Sequence, residues 1–274
     1  MAGRDDILTE LGLVPTWRLR GDNPALPAGP RQPPAVAADD GAPCPAEGAG
    51  RGDEVRPMAE IAGREAEAGP ARTARIAMLE WRDFAADVDA CTACGLARGR
   101  RKSVPGVGDT RAEWLFVGEA PGSEEDARGE PFVGQAGRLL DNMLAALAMK
   151  RGQNVYIANV LKCRPPSNRT PEPCEIEACR PYLDRQIALI RPKLIVALGK
   201  SAATTLLDVD ATIASLRGRV HHYRGVPLVV TYHPAYLLRN LADKAKAWED
   251  LLFARRTLQA AGAADSAAGG SRGE

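Results

Sequence analysis

The stretch WLFVGEAPG, residues 114–122, decides the fold class of this chain. It joins a short apolar run, Trp114–Val117, to a loop that contains glycine, proline and one acidic residue. Short runs that are apolar on both faces are typical of strands buried in a parallel sheet. We therefore predict a buried strand here, with the loop at its carboxyl end.

Outward from this stretch, strand-like and helix-like patterns alternate. Further strands are predicted at 155–160, 194–198 and 228–231, and helices at 74–89, 135–149, 174–190, 201–207 and 244–258. Strands separated by helices indicate an α/β fold, because parallel neighbours need helical crossovers. The predicted architecture is a three-layer α/β/α sandwich with a four-stranded, mainly parallel sheet.

Composition divides the 274-residue chain into four regions. Residues 1–22 form a short amphipathic peptide. Residues 23–72 are rich in Ala, Gly, Pro and charged residues, and they bury too little apolar surface to offset their ordering entropy, so a disordered linker is predicted. The folded domain is predicted at 73–259, followed by a disordered tail at 260–274.

The bulk numbers exclude several classes of protein. The formal net charge is +1, so any surface for nucleic acid must be a local patch. No stretch reaches the roughly 18 apolar residues of a membrane span, and the N-terminus lacks the apolar core of a signal peptide. We therefore predict a cytoplasmic protein. In that reducing compartment, six cysteines indicate metal ligands or free thiols rather than disulfides.

Each predicted strand is followed by a loop of glycine, proline or polar residues. In parallel sheets such loops meet at one edge, where α/β folds place their sites. The loops are GEAPG at 118–122, KCRPPSN at 162–168, GKS at 199–201 and HPAYLLR at 233–239. A purely structural domain does not need four such loops at one edge, so a functional site is predicted there.

These motifs resemble those of family 4 uracil-DNA glycosylases, the iron–sulfur branch of that superfamily. The resemblance covers roughly residues 91–258, and KCRPPSNRTP at 162–171 is among its most specific pieces. It implies an enzyme that flips uracil out of DNA and hydrolyses its N-glycosidic bond, leaving an abasic site and an uncut strand. Since negative charge develops on the departing uracil, catalysis should be mostly electrostatic.

The resemblance suggests catalytic roles for His233, Asn168 and Glu119. His233 would donate a hydrogen bond to the uracil oxygen that gains charge, or else only cap the backbone at a strand end. Asn168 would pair with the uracil edge through its amide, or else only form a turn. Glu119 would place water or stabilise charge on the sugar, because Ala120 stands where the best-known branch carries a water-positioning Asp.

Other residues of the same loops would bind the base, and Gly118 and Ala120 belong to this predicted set. Phe132 is similar to the family aromatic that stacks on the flipped base, although core packing is the alternative. Glu125 resembles the family residue near the pyrimidine 5-position, where it could exclude the thymine methyl. Its neighbour Asp126 is equally consistent with a solvated helix start.

Contacts to DNA are predicted at the loop ends, where backbone N–H groups and small side chains can bind phosphates. The basic run at 98–102 suits the same task. The segment 236–238 resembles the insertion loop, whose apolar wedge fills the hole left by the base. The predicted DNA-binding residues are Gly106, Ser167, Lys200, Ser201, Tyr236, Leu237 and Arg239.

Four cysteines form a candidate metal site: Cys91, Cys94, Cys163 and Cys179. Spacing alone leaves zinc and a [4Fe–4S] cluster open, because both are held by four thiolates. The family resemblance favours the iron–sulfur cluster, as a structural rather than redox centre. It also favours Cys179 over Cys174, which is then expected to be an uninvolved thiol, as is Cys44 in the linker.

The N-terminal residues 4–20 have a short resemblance to the start of the psi subunit of the bacterial DNA polymerase III clamp loader, whose peptide binds the chi subunit. A recognition peptide tethered by a long linker fits this interpretation. The alternative is a helix docked on its own domain. The predicted partners are uracil-containing DNA, single- or double-stranded, and a chi-type subunit, for a monomer that associates with the nucleoid through DNA.

Three other functions compete with this prediction. A broader family 5-like glycosylase is disfavoured by Glu-Glu-Asp after GEAPG. A single-turnover uracil binder that traps its product carries Gln within that motif and a basic insert, whereas this chain has Ala120 and lacks the insert. An iron–sulfur scaffold that only binds DNA is the third.

Overall fold

The computed structural model describes residues 69–269, with side chains described as far as residue 261. The peptide predicted at 4–20, Cys44 and most of the predicted linker lie outside the described residues. Of the two units of the chain, Met1–Ala42 and Pro43–Glu274, only the second contains described residues.

A mixed sheet forms the centre of the described domain. Its strands are β1 (Val107–Gly108), β2 (Trp114–Gly118), β3 (Val155–Asn159), β4 (Leu194–Leu198), β5 (His221–Tyr223) and β6 (Val226–Thr231), in the spatial order β1-β3-β2-β4-β6-β5. The four predicted strands are the central, parallel ones. The prediction of a four-stranded sheet is wrong, because β1 and β5 add antiparallel edges.

The two edge strands, β1 and β5, form for local reasons that are not visible in the pattern of apolar residues. In β1, Gly108 has φ +140° and lies so close to β3 that a Cβ would be 2.3 Å from the Val155 carbonyl oxygen. A two-residue turn, Arg224 and Gly225, both with positive φ, joins β5 to β6. His221 lies on β5, and its Nε2 is 2.7 Å from the Leu216 carbonyl oxygen.

Helices cover both faces of the sheet. They are α1 (Pro70–Ala77), α2 (Trp81–Ala90), α3 (Leu96–Gly99), α4 (Ser123–Arg128), α5 (Gln135–Ala146), α6 (Pro173–Ile190), α7 (Lys200–Leu207), α8 (Ile213–Leu216), α9 (Pro234–Leu237) and α10 (Lys244–Gly269). Two short 3₁₀ turns cover Pro166–Asn168 and Leu241–Asp243. None of the described helices combines the length and apolar character that crossing a bilayer requires.

Alternating side chains of the strands pack into two cores, which confirms the predicted three-layer sandwich. Leu115 and Val117 of β2 face α6 and α7, whereas Trp114 and Phe116 face α5 and α10. A third cluster joins α1 and α2 to Tyr182 of α6. Because β3 lies on one side of β2 and β4 on the other, the chain changes direction across the sheet at β2, and such a crossover opens a crevice at the strand ends.

Three helix predictions need correction. The helix predicted at 135–149 ends earlier, at Ala146. The helix predicted at 74–89 is split, because the Leu79 carbonyl accepts a hydrogen bond from Arg185 Nε at 2.6 Å and Glu80 is extended. Since α1 begins at Pro70, the predicted linker ends earlier than residue 72. The last helix runs on to Gly269, through part of the predicted disordered tail.

Candidate active site

A cavity of about 460 Å³ opens at the carboxyl ends of β2, β3 and β6. This is the edge at which the sequence predicts the site. The cavity brings together most of the predicted catalytic and base-binding residues: Glu119, Ala120, Glu125, Phe132, Asn168 and His233. Two predicted DNA-binding residues, Tyr236 and Arg239, also line it. The loop after β4 does not line the cavity, but its Gly199 packs against His233, which does.

His233 lies at the N-terminus of α9, directly after β6. Its Nδ1 accepts a hydrogen bond from the Ala235 backbone N–H at 3.1 Å. Burial, together with the nearby charge of Arg239, lowers the pKa of His233 to about 4. The imidazole is therefore neutral at physiological pH. Because Nδ1 accepts, the proton is on Nε2, which is left to donate to a ligand.

Two glycines allow this arrangement. Gly199 has φ +93°, and a Cβ there would lie 2.8 Å from His233 Cβ. Gly118, the last residue of β2, would place a Cβ 2.6 Å from the Phe132 ring and 2.5 Å from Asn159 Oδ1. Neither glycine lines the cavity, but each permits a close approach that any side chain would block.

Phe132 forms one wall and has an unusual backbone. Its ring is 6% exposed and lies 5.5 Å from the His233 ring, at an angle of 30°. Its φ is +55°, in the left-handed region, which costs a residue of this kind about 1–3 kcal/mol. The surrounding contacts must therefore hold this conformation.

Glu125 connects two walls of the cavity through its carboxylate. Oε2 accepts the Gly122 N–H at 3.1 Å, and Oε1 accepts the N–H groups of Val133 and Gly134 at 2.9 and 3.1 Å. Both oxygens are thus engaged by backbone. Its neighbour Asp126 is only 3% exposed and accepts the Arg101 N–H, which rules out the alternative of a solvated helix start for this residue.

Glu119 follows β2 directly and is half-buried in the cavity. Burial raises the pKa of its carboxyl above the ordinary value, and no other cause contributes. A carboxylate in this position would gain from any positive charge that develops beside it, because that charge would offset the lost hydration.

Several predicted DNA-binding residues lie outside the cavity. Gly106 packs against the Tyr156 ring, and Lys200 pairs with Asp210 at 3.1 Å. Ser167 is exposed on the 3₁₀ turn, and Ser201 lies in α7. Leu237 is 1% exposed and cannot serve as an inserted wedge, whereas its neighbour Leu238 is 42% exposed.

The four predicted ligand cysteines are free and line one small cavity between α2, α6 and the loop after β3. Burial raises the pKa of the Cys179 thiol to about 12, and it also raises that of Cys94 and Cys163. Within residues 69–261, no three His, Cys, Asp or Glu side chains form a group that could hold a metal ion. Cys174 is disulfide-bonded, so the prediction of an uninvolved thiol is wrong.

Hydrogen-bond donors surround these sulfurs. Arg100 Nη1 donates to Cys163 Sγ at 2.9 Å, and Arg72 Nη2 donates to Cys91 Sγ at 3.3 Å. The Lys162 backbone N–H donates to Cys179 Sγ at 3.3 Å. Arg100, which the sequence placed in a phosphate-binding run, is therefore directed at a cysteine instead.

Comparison with known proteins matches residues 105–252 to the uracil DNA glycosylase superfamily. The chain belongs to the uracil-DNA glycosylase superfamily. It is 47% identical over 164 residues to the type-4 uracil-DNA glycosylase of Archaeoglobus fulgidus, covering 57% of this chain and 82% of that protein. It is 45% identical over 161 residues to the type-4 enzyme of Thermotoga maritima, covering 58% and 83%.

Within the superfamily, the type-5 relatives are more distant. The type-5 uracil-DNA glycosylase of Pyrobaculum aerophilum is 32% identical over 157 residues, covering 51% of this chain and 68% of that protein. This difference confirms that the chain resembles family 4 glycosylases more closely than family 5.

One cavity residue of this uracil-DNA glycosylase superfamily member, Asn159, was not revealed by the sequence motifs. It is the last residue of β3, lines the cavity and is 2% exposed. Its Oδ1 is buried without a hydrogen-bond partner among the described residues. Asn168, by contrast, is exposed at the rim, and its Oδ1 accepts Arg164 Nε at 2.7 Å. A polar residue ending an otherwise apolar strand was the available signal.

Proposed function

We propose that this protein excises uracil from DNA by hydrolysing the N-glycosidic bond, leaving an abasic site for base excision repair. The observation that carries the proposal is the unpaired Oδ1 of Asn159, buried in a cavity beside Phe132 and His233. An unsatisfied buried acceptor costs about 1–3 kcal/mol, which a ligand that donates to it would recover. The relatives named as uracil-DNA glycosylases indicate which ligand.

Asn159 has the chemistry to read the uracil edge. Uracil presents an N–H between two carbonyl oxygens, so one amide can accept from the N–H and donate to a carbonyl. Cytosine presents a ring nitrogen acceptor and an amino donor at the corresponding positions. The sequence predicted that Asn168 reads the uracil edge. We propose instead that Asn159 has this role and that Asn168 lies at the rim of the cavity.

His233 and Phe132 would act on the same base. The neutral His233 offers Nε2–H to the uracil oxygen that becomes negative as the bond breaks, which is the charge this kind of donor stabilises most. The Phe132 ring offers a flat apolar surface on which the flipped base can stack. Glu125 is fully engaged by backbone, so its proposed effect on the thymine methyl would come from the loops it holds.

Glu119 would serve the sugar side of the bond. Its carboxylate can orient the attacking water, whose oxygen replaces the base on the sugar carbon and whose proton ends on the released uracil anion. It can also stabilise the positive charge that the sugar gains in the transition state. Both roles require the charged form of Glu119.

The pH dependence of uracil release should therefore have an acidic limb set by Glu119. Because burial raises its pKa, the carboxylate is lost as pH falls through that raised value, and kcat/KM falls with it. His233 adds no limb near neutrality, since its pKa is about 4. We expect Glu119→Gln to lower kcat/KM by about 10²-fold and to flatten this acidic limb. An unchanged limb in that variant would show that another group titrates.

We also propose that Cys91, Cys94, Cys163 and Cys179 hold a [4Fe–4S] cluster. The donor set fits: the thiols are free, line one cavity and are surrounded by the N–H donors of Arg72, Arg100 and Lys162, as cluster sulfurs commonly are. A single zinc ion, with bonds of about 2.3 Å, needs its thiolates much closer to one another than a four-iron cube does. The resemblance to family 4 glycosylases, rather than the positions of the thiols, favours the cluster over zinc.

Bound there, the cluster would supply metal–thiolate bonds that connect α2, the loop after β3 and α6. That loop also carries Pro165, Asn168 and Arg169, which line the active-site cavity. Arg169 is held by Glu175 of α6 through two hydrogen bonds of 2.9 and 2.6 Å. The cluster would thus stabilise one side of the cavity, with no electron transfer required.

DNA would approach over the rim formed by Tyr236 and Arg239, with the exposed Leu238 in place of Leu237 as the apolar wedge. Phosphate contacts by Gly106, Ser167, Lys200 and Ser201 stay predictions. The chi-type partner of residues 4–20 also stays a prediction from sequence, because those residues lie outside the described part of the chain. The same holds for a cytoplasmic location and for association with the nucleoid.

One assay separates the proposed function from its competitors. Wild-type protein should release many molecules of free uracil per chain from single- and double-stranded oligonucleotides that contain one uracil. The product strand should stay uncut until alkali is added, since no lyase step is proposed. A matched oligonucleotide with cytosine at the same position is the control. Uracil binding without release, or one release per chain, would overturn the proposal in favour of a binder or trap.

A further inference from the structure

Arg151 lies in the turn between α5 and β3, outside the cavity, yet it contacts the backbone of a wall residue. Its Nη1 donates to the Pro131 carbonyl at 2.8 Å, and its Nη2 donates to the Phe132 carbonyl at 2.8 Å. The Pro131 carbonyl belongs to the peptide group before the Phe132 Cα, and the Phe132 carbonyl belongs to the peptide group after it, so φ and ψ of Phe132 lie between them. A planar guanidinium that binds both therefore fixes the backbone conformation of Phe132.

The guanidinium is itself held from the other side. Asp141 Oδ1, on α5, accepts Arg151 Nε at 3.1 Å and Nη2 at 2.9 Å. Towards the interior, a Cβ on Gly137 would lie 1.7 Å from the Phe132 carbonyl oxygen, so this oxygen sits directly against α5. The Phe132 carbonyl is thus confined between Gly137 and Arg151.

We propose that Arg151 is a positioning residue for uracil binding, which holds Phe132 in the left-handed conformation that places its ring in the cavity wall. The inference rests on the proposed function and adds a determinant of affinity that does not touch the base. Without the guanidinium, nothing else among the described hydrogen bonds engages the Pro131 and Phe132 carbonyls together. The backbone would then relax towards negative φ, and the ring would leave the stacking position for part of the time.

A double-mutant cycle tests this inference. We would measure KM and kcat for uracil release from a single-stranded oligonucleotide with wild type, Arg151→Met, Phe132→Ala and the double variant. Arg151→Met should raise KM about fivefold to tenfold with a smaller change in kcat, because it weakens binding of the base before the bond breaks. In the Phe132→Ala background, the same change should raise KM less than about twofold, since the ring it positions is gone.

Three further variants separate positioning from general stability. Arg151→Lys keeps the charge beside Asp141 but cannot bind two carbonyls in one plane, so its KM should stay raised. Asp141→Asn removes the ion pair and leaves the two carbonyl contacts, and its KM should change less than about twofold. Arg224→Met removes a comparable Arg–Asp ion pair with Asp184, far from the cavity, and should leave KM unchanged.

The outcomes are distinguishable. If Arg151→Met raised KM equally in the wild-type and the Phe132→Ala backgrounds, its effect would be generally structural and the inference would be overturned. A normal KM for Arg151→Met would overturn it as well. In both cases wild-type turnover would leave the proposed function intact. A wild-type protein that releases no uracil would overturn both.

Discussion

Replacing Asn159 with Ala will lower kcat/KM for uracil release by about 10²–10³-fold, while the melting temperature stays unchanged or rises. The activity falls because the variant lacks the amide that would form specific hydrogen bonds with the base. The unchanged stability follows from the unpaired Oδ1, since removing a buried acceptor that bonds to nothing in the folded protein takes away a cost rather than a contact. A residue with a mainly structural role would show the opposite combination.

Steady-state uracil release and thermal melting of the same preparations measure the two effects. Asn168→Ala is the matched control, because it removes the same amide from the exposed rim of the same cavity. We expect its kcat/KM to fall less than about tenfold, the level of a partly solvated contact. If the Asn168 variant lost activity and the Asn159 variant kept it, the assignment of the edge-reading residue would be reversed.

Replacing Cys179 with Ala should remove the iron from the protein and lower its stability by about 4 kcal/mol, a loss typical of a missing metal site. In a domain of this size that corresponds to a fall of about 8–16 °C in melting temperature. The fall is large because Cys179 is half-buried and its Sγ hydrogen-bonds α6 to the loop after β3, so both segments would lose their connection. Iron content per chain and calorimetric melting of the purified full chain measure the result.

Cys174→Ala is the matched control for this experiment. Cys174 lies on the first turn of the same helix but does not line the cavity of the four free cysteines. Its variant should keep the iron content of the wild type. Full iron in the Cys179 variant, or loss of iron only in the Cys174 variant, would contradict the proposed ligand set.

The central sheet could be predicted from the sequence because its signal is local. Each parallel strand, such as Leu194–Leu198, is a short apolar run buried on both faces, and this alone marks it. The edge strands could not be predicted in the same way. Val107–Gly108 is two residues long, and β5 contains two histidines, so both are defined by pairing with a neighbour rather than by their own pattern.

The site residues likewise fall into those that local sequence motifs revealed and those that only the structure revealed. His233 and Phe132 stand in loops rich in Gly and Pro, and they were found from these motifs. Asn159 was missed because its one sequence signal, a polar residue ending an apolar strand, does not show that its Oδ1 is buried without a partner. Arg151 was missed for a related reason, since its partners lie about 20 residues away along the chain.

The carboxylate of Glu125 has a consequence for how a base reaches the cavity. It ties Gly122 to Val133 and Gly134, so separating these two walls would break three hydrogen bonds. Entry over Asn168 and Arg239, which are exposed at the rim, would break none of them. A nucleotide arriving by that route passes the charged and polar rim first and meets the ring of Phe132 last, so the encounter begins with the backbone of the nucleic acid and ends with the base.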